Sequence, residues 1–316
     1  MEAKVFNNFK VCEITASFCA EEDIPLPVYK GATFRGAFGY AFKKAICVSR
    51  FTKSCSECIL RRGCVYSYVF ETPLPENALI MRKYEKIPHP FILRPPLDDR
   101  PAIKKGEEFN LGAVLIGKAV EYVPYFAFVM EAMGEMGLGA KKAKARLTEV
   151  RDTSKVIYRP GYTDINVWDV LSMPDVLAEG LPMEIGIDFI TPARLVKDHK
   201  IVRPNSLDFQ TLFRTLLRRV ALLGQFHCGI PADSIDFKGI IDMSASIETV
   251  ENKLYWYDWS RYSTRQKARM PAGGLKGRII FKGNIKPFWP YLALGQRLNV
   301  GKNTSFGLGQ YKITSL

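Results

Sequence analysis

The sequence predicts an α+β protein built from two similar domains in tandem. With 316 residues, the chain is longer than one hydrophobic core usually organises, and it suits two domains of ordinary size. Hydrophobic residues make up 47% and charged residues 24% of the chain, so we expect all of it to fold. Landmarks of the first half also recur in the second half in the same order, which indicates an internal repeat.

The repeat consists of four landmarks in each half of the chain. They are Phe34-Arg35 and Phe213-Arg214 in helix-like runs, then Gly117 and Gly283, Pro124-Tyr125 and Pro290-Tyr291, and the Gly-Leu-Gly segments 137–139 and 307–309. The glycine and proline landmarks are seven residues apart in both halves. The next step is 13 residues in the first half and 17 in the second, where residues 301–305 enlarge the loop. The second domain is therefore expected to carry an elaborated glycine-rich loop.

Each half contains alternating segments typical of strands and segments with helical spacing. In the first half we predict a strand at 10–19, a helix at 32–46, strands at 65–70 and 108–117, a short helix at 124–134 and a strand at 146–151. In the second half we predict strands at 183–190, 237–249, 277–281 and 311–314, with helices at 207–223 and 287–297. The order strand, helix, strand, strand, helix, strand is that of a ferredoxin-like domain.

A segment rich in proline and glycine separates the two predicted domains. We expect an N-terminal ferredoxin-like domain at 1–158 with a cysteine-rich insertion at 47–64, a linker region at 159–182, and a C-terminal ferredoxin-like domain at 183–316 with the glycine-rich loop. The architecture is thus two tandem ferredoxin-like domains.

The charge balance favours a polyanionic partner. Lys and Arg number 45 against 32 Asp and Glu, a formal net charge of +13. The N-terminal segment MEAKVFNNFK has no apolar signal region, and the longest apolar stretch, 120–133, is interrupted by Glu121, Pro124 and Glu131. We therefore expect a cytoplasmic protein without a membrane partner, in which the seven cysteines do not form a disulfide framework.

The C-terminal quarter is the most specific part of the sequence. It reads WSRYSTRQKARMPAGGLKGRIIFKG at 259–283 and PFWPYLALGQRLNVGKNTSFGLGQYKI at 287–313. These blocks resemble the endoribonucleases of the CRISPR-associated RAMP superfamily that process precursor CRISPR RNA, whose signature is a glycine-rich loop before the last strand of a ferredoxin-like domain. The resemblance extends through ITPARL at 190–195, HPFILRPP at 89–96 and the helix start FRGAFG at Phe34.

The resemblance implies binding of a CRISPR repeat RNA and its cleavage without a metal or other catalytic cofactor. In such a reaction the 2′-hydroxyl attacks the adjacent phosphate, which leaves a cyclic phosphate and a 5′-hydroxyl. The chemistry needs a base, an acid and cations near the reacting phosphate. A noncatalytic RAMP subunit of a CRISPR effector complex, which would contact other effector subunits, is the main alternative. A metal-stabilised DNA-binding or regulatory protein is a third interpretation, but the sequence has no helix-turn-helix signal.

Two C-terminal segments combine cations with small or hydroxyl-bearing residues. The candidate RNA-binding residues are Arg261, Tyr262, Arg265, Lys267 and Arg269 in the first segment, and Gly301, Lys302, Asn303, Thr304, Ser305, Phe306, Gly307 and Gly309 in the second. Cations and hydroxyls suit phosphate contacts, an aromatic ring can stack on a base, and glycines let backbone N–H groups approach phosphate. The alternatives are a solvated hairpin tip and a loop that needs glycine only for positive φ.

The candidate catalytic residues are of several types, because the first helix lacks the histidine that many relatives carry there. His199 lies in a polar segment, where an accessible imidazole suits a general acid or base. Tyr40, Lys43 and Lys44 on the first helix are an alternative set, with lysine stabilising charge and tyrosine positioning the 2′-hydroxyl. The two other histidines are assigned to packing: His89 lies between prolines, and His227 is expected to be partly buried.

Four of the seven cysteines lie within 18 residues. Cys47, Cys55, Cys58 and Cys64 have the spacing C-x7-C-x2-C-x5-C. Four thiolates can hold a structural Zn²⁺ ion, and an iron–sulfur cluster uses the same ligands. We therefore predict a structural Zn²⁺ site, with an iron–sulfur cluster or four free buried cysteines as alternatives. Cys12, Cys19 and Cys228 are expected to be core thiols.

Overall fold

The computed structural model of the chain describes residues 8–49, 54–76, 78, 80, 87–162, 165–166, 168–171, 182–263 and 268–315. Within these residues, one compact unit comprises Lys10–Leu171 with Phe226–Cys228, and the other comprises the described parts of Ser172–Gln225 and Gly229–Leu316. Much of the linker predicted at 159–182 lies outside the described residues, so its boundaries stay a prediction. None of the described helices is long and apolar enough to span a bilayer.

The N-terminal unit is a five-stranded antiparallel sheet with two helices. Its elements are β1 (Val11–Ala20), α1 (Gly31–Ile46), β2 (Phe91–Arg94), β3 (Glu108–Ile116), α2 (Val123–Met136), β4 (Ala145–Arg151) and β5 (Val156–Tyr158). The strands lie in the order β2-β3-β1-β4-β5. A short pair, Ile24–Pro25 with Ala102–Ile103, lies outside this sheet. The first four strands and the two helices reproduce the ferredoxin-like order that the sequence predicts.

Aromatic rings fill the core between the sheet and the helices. Phe34, Phe38 and Phe42 follow one another at intervals of four residues along α1, and all three side chains are fully buried. The ring of Phe38 lies 5.1 Å from that of Phe126 on α2 and 6.1 Å from that of Phe91 on β2. Burial of each such ring contributes roughly 1.5–3 kcal/mol, which fixes α1 on the sheet.

The strand predicted at 65–70 is wrong, because these residues form a helical turn at Ser67–Glu71. The aromatic and branched residues here favour a strand by propensity, but the buried residues Tyr66, Val69 and Phe70 have helical spacing. The rings of Tyr66 and Phe70 stack 5.5 Å apart against Phe42 of α1. Tertiary packing therefore overrides local propensity. The strand that follows α1 in the ferredoxin-like order is β2, not the segment 65–70.

The C-terminal unit repeats the arrangement around a four-stranded antiparallel sheet. Its elements are β6 (Glu184–Ala193), β7 (Val196–Lys197), β8 (Lys200–Ile201), α3 (Phe209–Leu223), α4 (Phe237–Ser244), β9 (Glu248–Tyr257), β10 (Ser260–Ser263), β11 (Ala268–Pro271), β12 (Gly274–Lys282), α5 (Trp289–Leu298) and β13 (Tyr311–Ser315). The sheet order is β9-β12-β6-β13, while β7 pairs with β8 and β10 with β11 as separate hairpins.

The strand predicted at 237–249 is also wrong over most of its length. Asp236 caps a helix there, since its carboxylate accepts a hydrogen bond of 3.0 Å from the Gly239 N–H, and α4 follows. The strand itself, β9, begins only at Glu248. Most of its residues are exposed or half-buried, so the sequence lacks the alternation by which a half-buried strand is recognised.

The two Gly-Leu-Gly segments confirm the internal repeat at the level of backbone conformation. In 137–139 and 307–309 the first glycine has φ of 89° and 85°, and the last has φ of 71° and 74°. The leucine between them is buried in both copies. Glycine is required because these φ values lie in the region that other residues avoid. The chain is thus two tandem ferredoxin-like domains, as predicted.

Candidate RNA interface and active site

Three connections of the C-terminal unit meet at one end of its sheet. Ala193 at the end of β6 pairs with Leu275 near the start of β12, and Tyr257 at the end of β9 pairs with Gly274. Tyr311 at the start of β13 pairs with β6 near the same end. The hairpin β7–β8, the hairpin β10–β11 and the glycine-rich loop 299–310 therefore all leave the sheet at this end, which we call the loop end.

The glycine-rich loop is held in place by its own backbone and by β6. The Val300 N–H donates to the Gly309 carbonyl at 2.8 Å, and the Gly309 N–H donates to the Pro192 carbonyl at 3.0 Å. The Thr191 hydroxyl donates to the Gly307 carbonyl at 2.7 Å. The Lys302 N–H donates to the carbonyl of Arg194 at 2.9 Å. Several N–H groups of the loop thus donate hydrogen bonds to carbonyls of the protein. These bonds hold the loop in one conformation without a ligand.

The predicted RNA-binding residues of this loop differ in their exposure. Lys302 is exposed, Gly301, Asn303 and Phe306 are half-buried, and Thr304, Ser305, Gly307 and Gly309 are buried. Gly301 and Asn303 adopt positive φ of 92° and 61°, so the loop also has the turn geometry that the sequence left as an alternative. Lys302 is the member best placed to meet a phosphate, while the buried members support its position.

The hairpin β10–β11 carries the other predicted RNA-binding segment. Arg261 pairs with Met270 and Tyr262 pairs with Arg269 across its two strands. Arg265 and Lys267 lie outside the described residues, as do the side chains of the whole hairpin. The backbone therefore places the segment on a two-stranded projection of the loop end.

His199 lies at the tip of the hairpin β7–β8. Asp198 and His199 form its two-residue turn, with φ of 48° and 63°, between the paired residues Lys197 and Lys200. The His199 side chain is exposed, and no hydrogen bond to another described residue orients its imidazole. The structure brings this predicted acid or base to the loop end but does not fix its ring.

Three residues of the loop end were not singled out by the sequence. The Arg194 guanidinium donates to the Gly273 carbonyl at 3.0 Å, and burial lowers the pKa of Arg194, with a contribution from Arg203. Arg203 lies 4.0 Å above the ring of Trp256 on β9. Arg194 belongs to the ITPARL block, but the pairing of Arg203 with Trp256 joins residues 53 positions apart, and local patterns carry no signal of it.

The first helix presents the alternative catalytic set on an exposed face. Tyr40, Lys43 and Lys44 have the spacing that places residues on one side of a helix, and all three are exposed, Tyr40 by 59%. These side chains are accessible to a large ligand of the N-terminal unit.

A histidine that the sequence assigned to packing lies against α1. The Thr72 hydroxyl donates to the Ile87 carbonyl at 3.0 Å and therefore accepts from His89 Nδ1, also at 3.0 Å. With its proton on Nδ1, His89 presents the Nε2 lone pair to the Arg35 guanidinium, 3.2 Å away. Arg35 in turn lies 4.5 Å above the Phe70 ring. Both ring nitrogens of His89 are thus engaged, but the partner of Nε2 is a guanidinium that also suits a phosphate, so His89 is a second candidate acid or base.

His227 has the structural role that the sequence favoured. Its Nε2 donates to the Pro88 carbonyl at 2.8 Å, and its Nδ1 accepts from the Tyr68 hydroxyl at 2.9 Å. The imidazole is buried, and both of its nitrogens are occupied. These bonds tie Phe226–Cys228 to the N-terminal unit.

The structure does not bring the four clustered cysteines together into a metal site, so it does not support the predicted Zn²⁺ site or its iron–sulfur alternative. Among the described residues, which include Cys47, Cys55, Cys58 and Cys64, no group of three or more His, Cys, Asp or Glu side chains could hold a metal ion. The Cys47 thiol instead donates to the Ser49 carbonyl at 3.7 Å. Burial, and next Glu71, raise the pKa of Cys55. None of the seven cysteines, all of which are described, forms a disulfide bond.

Two family models match the chain one after the other. A model of an N-terminal domain, AF_1859_N, matches residues 9–168, which is half of the chain. The model of the CRISPR-associated endoribonuclease Cas6 matches residues 187–311. A protein of Archaeoglobus fulgidus recorded as uncharacterized is 24% identical over 297 residues, which cover 92% of this chain and 93% of that protein.

Solved structures share the fold over nearly the whole chain. The product complex of a Thermus thermophilus Cas6 protein has a TM-score of 0.58 and 15% identity, covering 96% of this chain and 99% of that one. A partial Cas6-RT-Cas1–Cas2 complex has a TM-score of 0.58 and 12% identity, covering 97% of this chain and 46% of that one. At such identities the likeness establishes the tandem fold.

Proposed function

This chain belongs to the AF_1859_N family, and its residues 187–311 match the model of the CRISPR-associated endoribonuclease Cas6. On this premise we propose that it binds CRISPR repeat RNA and cuts precursor CRISPR RNA into guide RNAs. The similar Cas6 structure is a product complex, which supports the same reaction class here. A net charge of +13 provides the attraction for the RNA backbone.

The convergence of basic segments at the loop end carries this proposal. The glycine-rich loop places Lys302 next to Arg194, and the cationic hairpin β10–β11 leaves the sheet at the same end. Arg203 and Trp256 add a stacked cation and ring at the same end. Cations that follow a phosphate backbone and flat groups that meet unstacked bases are what recognition of single-stranded or looped RNA requires.

We assign the cut to attack by the RNA's own 2′-hydroxyl, without a metal. A base removes the hydroxyl proton, the new O–P bond forms, the P–O5′ bond breaks, and an acid protonates the departing 5′-oxygen. His199 is the proposed acid or base, with Tyr40, Lys43 and Lys44 as the alternative set. The fixed tautomer of His89 beside Arg35 makes that pair a further alternative.

Incubation of the purified protein with repeat RNA in EDTA tests this function. We expect a single cut and a product with a cyclic phosphate, because no step involves a metal ion. RNA with a 2′-deoxynucleotide at the cut position is the matched control and should remain intact while still binding. A need for Mg²⁺, or a product with a 5′-phosphate, would overturn the mechanism.

The same assay addresses a noncatalytic RNA-binding subunit, which remains the second candidate. The observation in its favour is that no described residue orients the His199 imidazole. Tight repeat binding without any cut, in EDTA or in Mg²⁺, would select that function.

A further inference from the structure

The N-terminal unit contains a cavity that the proposed RNA path does not use. Its volume is about 360 Å³, and it lies beside the helical turn Ser67–Glu71. The lining includes Arg61, Arg62, Tyr68, Leu74, Ile87 and Phe226. The volume is at the small end of the range of roughly 300–1,000 Å³ for ligand pockets, so it suits a ligand of one ring system and a short polar group.

One wall of the cavity is a fixed aromatic surface. The Tyr68 hydroxyl is held by its bond of 2.9 Å to His227, and its ring packs edge-on at 5.7 Å from that of Tyr122. Phe226, next to His227, also belongs to this unit. The hydroxyl of Thr72, another lining residue, is engaged by Ile87 and His89. The wall therefore favours stacking and apolar contact over base-specific hydrogen bonds.

The polar side of the cavity consists of two arginines that converge on one carboxylate oxygen. Arg61 lies 3.6 Å from Glu76 Oε1, and Arg62 also pairs with that oxygen. Arg61 is oriented by a bond of 3.0 Å to the Ser56 carbonyl. Glu76 is 61% exposed and Arg62 74%, so the ion pairs contribute little to stability. These two guanidinium groups and the one carboxylate together carry a formal charge of +1.

From this arrangement we propose that the cavity binds one nucleotide, with its base against Tyr68 and Phe226 and its phosphate on Arg61 and Arg62 in place of the Glu76 carboxylate. Guanidinium groups bind phosphate oxygens in a bidentate geometry, and an exposed carboxylate is easily displaced. If the nucleotide is part of the RNA, the inference rests on the proposed function and adds a base-tolerant subsite to it. A free nucleotide has the same chemistry.

Calorimetry with AMP and UMP on the full chain tests the site. Both should bind, and adenosine should bind at least roughly tenfold more weakly, because it lacks the phosphate. The variant Arg61→Ala/Arg62→Ala should lose roughly tenfold or more in AMP affinity, whereas Glu76→Gln should gain a few-fold because the competing carboxylate is gone.

The unit also offers a matched control cluster. Arg151 and Arg159 both pair with Glu149 on the surface, at 3.4 Å and 3.1 Å, and do not line the cavity. Arg151→Ala/Arg159→Ala and Glu149→Gln should leave AMP binding unchanged, and unfolding curves verify that all variants fold. Absence of AMP and UMP binding to the parent chain, or equal effects of both variant sets, would overturn the proposal.

Two further measurements separate the sources of the nucleotide. Repeat RNA that expels AMP from the parent chain identifies an RNA nucleotide as the occupant, whereas simultaneous binding identifies a free nucleotide. RNA cleavage without AMP binding would reject the cavity and leave the proposed function intact. AMP binding without RNA binding or cleavage would uphold the cavity and reject the proposed function.

Discussion

At the scale of single residues, Lys30 is a fully buried amine whose charge is met by one aspartate. It contacts both the carbonyl and, at 3.4 Å, the carboxylate of Asp98. Hydrogen bonds from Arg100, with Lys30 nearby, lower the pKa of Asp98 to about 2 from 3.8. Because the pKa is lowered in the folded state, the stabilisation is present above pH 3.8 and is lost as the pH falls towards 2.

We therefore expect Asp98→Asn to lower the free energy of unfolding at pH 7 by about 1–3 kcal/mol, since it leaves a buried ammonium poorly paired. The loss should be smaller at pH 2.5, because most of the stabilisation linked to the lowered pKa of Asp98 disappears between pH 3.8 and pH 2. Urea unfolding at both pH values measures it. Asp99→Asn, which changes the neighbouring residue, is the control, and an equal loss at both pH values would contradict the linkage.

Gly309 is the second residue whose replacement has a defined outcome. It has φ of 74°, and a Cβ there would overlap the Val300 carbonyl oxygen. Gly309→Ala should destabilise the chain by roughly 3 kcal/mol or more, from backbone strain and this overlap. Gly36→Ala, at an exposed position of α1 with open space around it, should instead be neutral or stabilise by up to about 1 kcal/mol. Thermal unfolding compares the two, and similar losses would show that the loop tolerates a side chain.

His199 and His89 compete for the role of acid or base. His199→Ala should reduce the single-turnover cleavage rate at least roughly tenfold with little change in RNA affinity. Lys197→Ala, on the same hairpin, is the matched control and should leave the cleavage rate nearly unchanged. An unaffected rate in His199→Ala together with a lost rate in His89→Ala would transfer the role to the Arg35–His89 pair. If both retain the rate, the role passes to Tyr40, Lys43 and Lys44.

At the scale of elements, the hairpin β10–β11 is the segment whose effect on binding should be the largest. Replacing Arg261, Arg265, Lys267 and Arg269 together should flatten the plot of log K against log salt by about two to three units, because each phosphate of single-stranded RNA that the protein neutralises adds roughly 0.7 to the slope. The free energy of unfolding should hardly change, because charged residues rarely belong to a packed core. Weaker binding with the same salt slope would mean that these residues act through packing.

Periodicity predicted the elements whose buried face is regular. β1 alternates between buried and half-buried residues, and α3 buries residues at helical spacing, so both were found within two residues of their ends. The errors arose where that signal is absent. β9 is largely exposed, and the turn Ser67–Glu71 has strand-forming residues that helical packing overrides.

At the scale of the whole molecule, the duplication was visible in the sequence because glycine and proline mark required backbone conformations. Gly307 and Gly137 stand at equivalent positions and adopt nearly equal φ. The candidate site was predictable where residues are adjacent in sequence, as in the loop of Lys302. It was not predictable where contacts span long separations, as between Arg35 and His89, which are 54 residues apart.

The segment Phe226–Cys228 bears on how the chain is made. These three residues complete the N-terminal unit, although the residues on either side of them belong to the C-terminal one. The ribosome therefore releases all of Lys10–Leu171 well before the imidazole of His227 can reach Tyr68 and Pro88. Domains generally fold in the order in which they are synthesised. The N-terminal unit, however, cannot complete its contacts until residues 226–228, which follow part of the C-terminal unit in the sequence, have also been synthesised. A chain that ends before residue 227 therefore lacks both hydrogen bonds of the His227 imidazole, and Tyr68 and Pro88 lose a partner that the complete chain supplies.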